Sequence, residues 1–219
     1  MLTIHGVTRS RASRLIWLCH EAGLDFRQVP VIQAYRLGDA EAPDAPLNTR
    51  SPEFLALSPA GAIPVLQDGD LTLSESFACT QYLARKYGKD LGPRNEAEEA
   101  LMLQWSFYAA TMIEPDALTI LFLHKPGPNQ SGEDQALIAN AAERLVRPLK
   151  VLEDHLCAHQ FIVSDRFTVA DLNTAEVLRY AQGFGPLWEA FPAVKGWLTA
   201  CQDRPAFRKM WQERLQEPE

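Results

Sequence analysis

Apolar residues recur with a period of two over Leu2–His5, which predicts a short half-buried strand. From Ser13 the period lengthens: Leu15, Ile16, Leu18, Cys19 and Ala22 fall at helical spacing, and Gly23 supplies a stop. Phe26 to Ile32 returns to strand texture, so this opening stretch predicts a β-α-β unit whose two strands run parallel. Residues 38–52 hold Pro43, Pro46 and Pro52 among acidic and small residues and predict a long loop. Two short apolar runs, Pro64–Gln67 and Leu71–Leu73, flank Asp68-Gly69-Asp70, a strong antiparallel hairpin signal. A helix is then expected from Ser74-Glu75-Ser76 through Tyr82, Leu83 and Tyr87 to Gly88.

Beyond Pro93 the spacing predicts only helices. Asn95 with Glu98 three positions on reads as a capping box opening a helix through Trp105 and Tyr108, which Pro115 should kink or interrupt. Gln135 to His155 predicts another, with Pro148 as a bend, and Thr168 with Asp171 repeats the capping box, with Phe167 placed to staple onto Leu172. Phe191-Pro192 and Arg204-Pro205 open two last helices, proline being well tolerated in a first turn. The expected organisation is an α/β domain over residues 1–88 with a mixed four-stranded sheet, a linker at 89–95 and an all-α domain over 96–219.

Composition narrows the function classes. The chain has 219 residues, 47% hydrophobic and 22% charged, which excludes disorder and repetitive fibres. Its 21 basic and 28 acidic residues give a net charge of −7, so neither nucleic acid nor a membrane surface is an expected partner. Cys19, Cys79, Cys157 and Cys201 are widely separated with no C-x-x-C pair, and the five histidines have no metal-binding spacing. Reduced thiols, no bound metal and a cytoplasmic location are the expectations.

Three clusters carry candidate chemistry. Ser10-Arg11-Ala12-Ser13-Arg14 opens the first helix, where a hydroxyl either caps the helix or faces a bound anion. In Ala60-Gly61-Ala62-Ile63-Pro64, a proline starts a strand: either a trans bond at an edge, or a cis bond that turns the Ile63 backbone outward to pair with a peptide-like ligand. Ser74-Glu75-Ser76-Phe77 begins a helix, as plain capping or as a seat for an amino-acid head group, with Ser76 and first-turn amides on the carboxylate and Glu75 on the ammonium.

Together with Phe167-Thr168-Val169-Ala170-Asp171 and Arg204-Pro205-Ala206-Phe207, these segments resemble the cytosolic glutathione S-transferase superfamily across essentially the whole chain. The resemblance implies a thioredoxin-like N-terminal domain and an all-helical C-terminal domain. It implies a cis Pro64, pairing of the Ile63 backbone with the cysteinyl part of glutathione, and Glu75 and Ser76 at its γ-glutamyl end. Ser10 is then the hydroxyl that hydrogen-bonds the glutathione sulfur in a serine-type site, with Ser13 as the competing candidate. The family's usual basic residue before Ile-Pro is replaced by Ala62, and its Asn by Ser58, so Arg36 or Arg50 is left to hold the glycine end. Glutathione enters as cosubstrate, with no other cofactor.

The serine role is energetically reasonable. A free thiol titrates near about 8.5, and lowering that by about two units takes about 2.7 kcal/mol. One hydrogen bond to a charged acceptor supplies about 1.5–3 kcal/mol and a helix N-terminus about 0.3–1 more. Trp105, Tyr108 and Met112, at i, i+3 and i+7, form a helical face that either lines the electrophile pocket or belongs to the core. The expected function is conjugation of glutathione thiolate to small hydrophobic electrophiles by a homodimer. The alternatives are a non-catalytic binding or regulatory relative, and a glutathione-dependent disulfide reductase.

Overall fold

The computed structural model describes residues 1–124 and 131–217. Its sheet has the order β2-β1-β3-β4. β1 (Leu2–His5) runs parallel to β2 (Phe26–Val29) and antiparallel to β3 (Val65–Asp68), which pairs with β4 (Leu71–Ser74). β2 stops at Val29, short of the expected Ile32, because Pro30 has no amide to donate; Ile32 forms an isolated bridge to Asn48 instead. Gly69 takes φ 61 in the β3–β4 turn, a conformation glycine adopts without a Cβ penalty.

α1 (Ala12–Ala22) ends at Gly23 in the left-handed conformation. Leu15, Ile16, Trp17, Leu18 and Cys19 are all fully buried, so the helix is enclosed on every side rather than on one face. Its neighbours explain this: α3 (Ser76–Tyr87) packs on one flank and α9 (Pro205–Gln216) on another. Trp17 meets Phe207 of α9 edge-on at 4.9 Å, and His20 bonds Glu213 at 2.8 Å. Residues from Pro205 onward therefore form one compact unit with residues 1–92, and residues 93–204 form the other. The helical domain expected to run from 96 to 219 thus gives up its last helix, because Phe207 and Met210 bury their side chains in the first unit's core.

Sequence periodicity missed α2 (Pro52–Leu57), six residues with a single strong apolar anchor. Phe54 is that anchor, packed on Val31 and Val65. The hairpin is tied to α3 by Asp68, whose Oδ2 accepts from Tyr82 Oη, Tyr87 Oη and Lys86 Nζ, each at 2.7 Å.

The second unit contains α4 (Glu96–Tyr108), α5 (Glu114–Leu123), α6 (Gly132–Ala158), α7 (Val169–Leu178) and α8 (Pro192–Gln202). The α-helix is interrupted just before Pro115, as expected, but the chain stays helical across the break. A π-helical turn over Ala109–Ile113 joins α4 to α5, and its wider ring accommodates the missing amide just beyond it. α6 continues through Pro148. Asn95 caps α4 as expected, accepting from the Glu98 amide at 2.9 Å, but the Glu98 carboxylate does not complete a capping box. It accepts from the Arg94 amide and from both terminal nitrogens of Arg166, a charged partner that outcompetes a single amide.

The second capping box is complete. Asp171 accepts from the Thr168 and Ile162 amides, both at 2.9 Å, and also from Trp197 Nε1 of α8 at 3.1 Å. Burial pushes its carboxyl up to about 6 against the pull of these donors. α8, with no capping side chain of its own, is capped from α6 by Glu153, which accepts from the Ala193 and Val194 amides.

Two carboxylates make the fold acid-sensitive. Hydrogen bonds from Lys86 and Tyr82 hold Asp68 down to about 2, and those from Arg166 and Ser164 hold Glu98 down to about 2. Both folded-state values lie below the unfolded ones, so this stability is fully present above about pH 4.5 and is lost as the pH falls towards about 2. Denaturant midpoints measured across that window should fall less steeply for Asp68→Asn and for Glu98→Gln than for the parent; slopes equal to the parent's would contradict the assignment.

Candidate active site

The site is built where β1 hands over to α1. The chain turns at Gly6 with φ 142, and a Cβ there would stand 3.1 Å from the Ala12 Cβ and 3.3 Å from the Ile63 Cβ. Only glycine lets the loop pass this close to the Ile63 side chain. The Ile63–Pro64 bond is cis, Pro64 is buried, and the β1–β3 ladder starts at Val65, which leaves half-buried Ile63 just outside it. Ser58, at the position where the family usually has Asn, donates from Oγ to the Ala62 carbonyl at 3.1 Å and braces the turn that leads to Ile63.

Ser10 is half-exposed. Its Oγ donates to the Val7 carbonyl at 2.6 Å and accepts from the Ala12 amide at 3.0 Å. The hydroxyl thus braces the helix entrance, and its proton can be redirected by rotation about the Cβ–Oγ bond without moving the oxygen. Ser13, the competing candidate, is fully buried and presents no surface to a ligand.

The third cluster joins the first through a residue that sequence reading left without a role. Arg14, with only 1% of its surface exposed, donates from Nη1 to Ser76 Oγ at 2.8 Å and lies over the Phe77 ring at 4.3 Å. With its oxygen accepting from a guanidinium, Ser76 has its own proton to offer to an anion. No sequence signal distinguishes such a buried arginine from a solvated one. Glu75, exposed beside it, has φ 66 and ψ 111, a conformation that costs a non-glycine residue about 1–3 kcal/mol and is found mainly where function requires it.

Arg36 and Arg50 differ in their relation to this convergence: the cavity that Arg36 lines also takes in Gln28 and Glu217 beside the Ser10 loop, and nothing among the described residues ties Arg50 to it. Arg36 lines a cavity of about 460 Å³ with Val7, Pro30, Ile32 and Leu37, and Arg50 is exposed in the loop. Trp105, Tyr108 and Met112 do not share a face as expected, because Met112 lies within the π-helical turn, where the one-face spacing no longer holds. Trp105 is buried at the wall of an apolar recess with Leu101, His155 and Phe161. Tyr108 meets Trp105 edge-on and donates to the Pro148 carbonyl, while Met112 is 46% exposed. Cys19 and Cys79, both pushed up to about 12 by burial, supply no reactive thiolate.

Models of the glutathione S-transferase N-terminal and C-terminal domains match residues 9–86 and 100–205. The chain is 35% identical to glutathione S-transferase 3 of Zea mays, over 95% of this chain and 92% of the relative, and 33% identical to a glutathione S-transferase of Hyoscyamus muticus, over 95% and 96%. The crystal structure of glutathione transferase F7 from Populus trichocarpa superposes with a TM-score of 0.81 at 29% identity, covering 98% of this chain and 99% of that one. The chain belongs to the glutathione S-transferase family.

Proposed function

We propose that this glutathione transferase ionises the glutathione thiol against the Ser10 hydroxyl and delivers the thiolate to a small hydrophobic electrophile. One observation carries the reading: the Ser10 loop, the cis Ile63–Pro64 bond and the Glu75–Ser76 turn converge, through the Gly6–Ile63 approach and the Arg14–Ser76 bond. In the proposed complex the tripeptide pairs with the Ile63 backbone, its γ-glutamyl carboxylate accepts from Ser76, and its ammonium faces Glu75. Arg36 is the proposed cation for the glycine carboxylate. The sulfur then lies beside Ser10, whose proton turns from the Val7 carbonyl to the developing anion. The thiol proton passes to solvent water at this half-exposed site. The carbon–sulfur bond forms as the electrophile's leaving group departs or its π-bond electrons shift onto its acceptor atom; no protein base is needed, since the nucleophile belongs to the cosubstrate and the protein ionises and orients it.

The same reading proposes a cytoplasmic homodimer. All four cysteines are free thiols, which suits a reducing compartment. Leu103 and Phe107, four residues apart on α4, are exposed apolar side chains of the kind a second copy would cover. Glutathione at one hundred times its dissociation constant should stabilise the folded protein by about 2.7 kcal/mol, seen as a melting temperature raised by about 5–10 °C. Ser76→Ala should reduce that rise, and an unchanged melting temperature in the parent would overturn the reading.

A further inference from the structure

The loop that carries Ser10 has no regular structure of its own, since β1 ends at His5 and α1 begins at Ala12. Much of its backbone is held instead by the end of α9. The Glu217 carboxylate, one residue past that helix, accepts from the Thr8 amide at 2.6 Å and from the Arg9 amide at 2.8 Å. Gln28 Nε2 lies 3.3 Å from the oxygen that takes the Thr8 amide and also donates to the Gly6 carbonyl. Arg214 donates to the Thr8 carbonyl at 2.6 Å, and its own carbonyl accepts from Arg9 Nε at 3.2 Å. Both polar groups of the Thr8 backbone are therefore fixed by the α9 segment, two residues before Ser10.

We propose that Glu217 is a positioning residue for glutathione activation: by gripping two successive amides, its carboxylate sets the backbone from Thr8 to Ser10 and so aims the Ser10 hydroxyl at the sulfur. The inference rests on the Ser10 reading. The alternative, a purely electrostatic role, has the opposite sign. A nearby carboxylate disfavours a thiolate, so a Glu217 acting only through its charge would raise the thiol pKa, and its removal would lower it. Loss of positioning raises it, because a hydroxyl misplaced by about an ångström gives up most of its stabilisation of the anion.

The test is an ultraviolet titration of the thiolate of bound glutathione in the full chain, alongside glutathione affinity and melting temperature. In Glu217→Ala the bound thiol should titrate about one unit higher than in the parent, and turnover should fall about tenfold at acidic pH and recover at alkaline pH. Glutathione affinity measured at about pH 6, below the bound thiol's midpoint, should stay within about twofold, and the variant's deficit in affinity should grow as the pH rises, a pattern that a general loss of structure does not produce. Glu217→Gln keeps one oxygen for one amide and should shift part of the way, and it carries the same reading if the alanine variant does not fold. A thiol pKa that stays put or falls in the folded variants overturns the proposal. Ser10→Ala in the same titration separates the two claims. If it titrates like the parent, the Ser10 reading fails and takes this inference with it; if it shifts while the Glu217 variants do not, only this inference fails.

Discussion

Ser10→Ala should lower kcat/KM for glutathione conjugation about tenfold to a hundredfold near pH 6.5, with KM for glutathione little changed. The size follows from the bond being lost: a hydroxyl donating to a thiolate stabilises it by about 1.5–3 kcal/mol more than water access alone, and each 1.36 kcal/mol corresponds to about a factor of ten. The deficit should shrink as pH rises, since above the free thiol's pKa of about 8.5 glutathione ionises without help. Binding should survive because the γ-glutamyl and cysteinyl contacts are assigned to Ser76, Glu75 and the Ile63 backbone. The structural cost is small, because the Oγ contacts that are lost, to the Val7 carbonyl and the Ala12 amide, lie at a half-exposed position that water reaches. Rates against a generic aryl halide from about pH 6 to 9 check this; a variant that matches the parent across the range would remove Ser10 from the mechanism.

Asp171→Ala should be the most damaging single change to the fold. The carboxylate is fully buried and satisfies the Thr168 and Ile162 amides and the Trp197 indole, which join the start of α7 to the segment before it and to α8. Removing it leaves four buried donors unmade, these three and the Thr168 hydroxyl, at about 1–3 kcal/mol each, so a loss of about 4 kcal/mol or more is expected, against a total stability of about 5–15 kcal/mol. Asp171→Asn, with one acceptor oxygen in place of two, should fall between. Thermal unfolding followed by circular dichroism tests both, and an alanine variant melting within about 2 °C of the parent would contradict the network's assigned weight.

Most of the secondary structure could be read from the sequence where a local signal was strong. The β-α-β unit, the Asp68-Gly69-Asp70 hairpin and the Thr168–Asp171 cap all rest on short-range chemistry that the fold leaves undisturbed. Misses occurred where a distant partner or an irregular helical turn decided the outcome. Glu98 looked like the second half of a capping box until Arg166, far along the chain, claimed its carboxylate. The Trp105–Tyr108–Met112 stripe assumed an unbroken α-helical period, which the π-helical turn before Pro115 interrupts. The last helix carries Phe207 and Met210 on a buried face, but which core they enter depends on α1, some two hundred positions earlier.

The candidate site divides in the same way. Ser10, Ile63-Pro64 and Glu75-Ser76 are visible as motifs, whereas the difference between a half-exposed Ser10 and an enclosed Ser13 emerges only on folding. Arg14 beneath Ser76, and Glu217 across the Thr8 and Arg9 amides, left no trace in local sequence. Their importance comes entirely from the partners that folding gives them.

The most direct measurement is the absorbance of the thiolate of glutathione bound to the parent protein, followed as a function of pH. A midpoint about two units below the free value of about 8.5 is what a hydroxyl beside the sulfur at a helix entrance should produce. A bound thiol that titrates as it does in water would contradict the central claim, leaving a protein that holds the tripeptide without activating it.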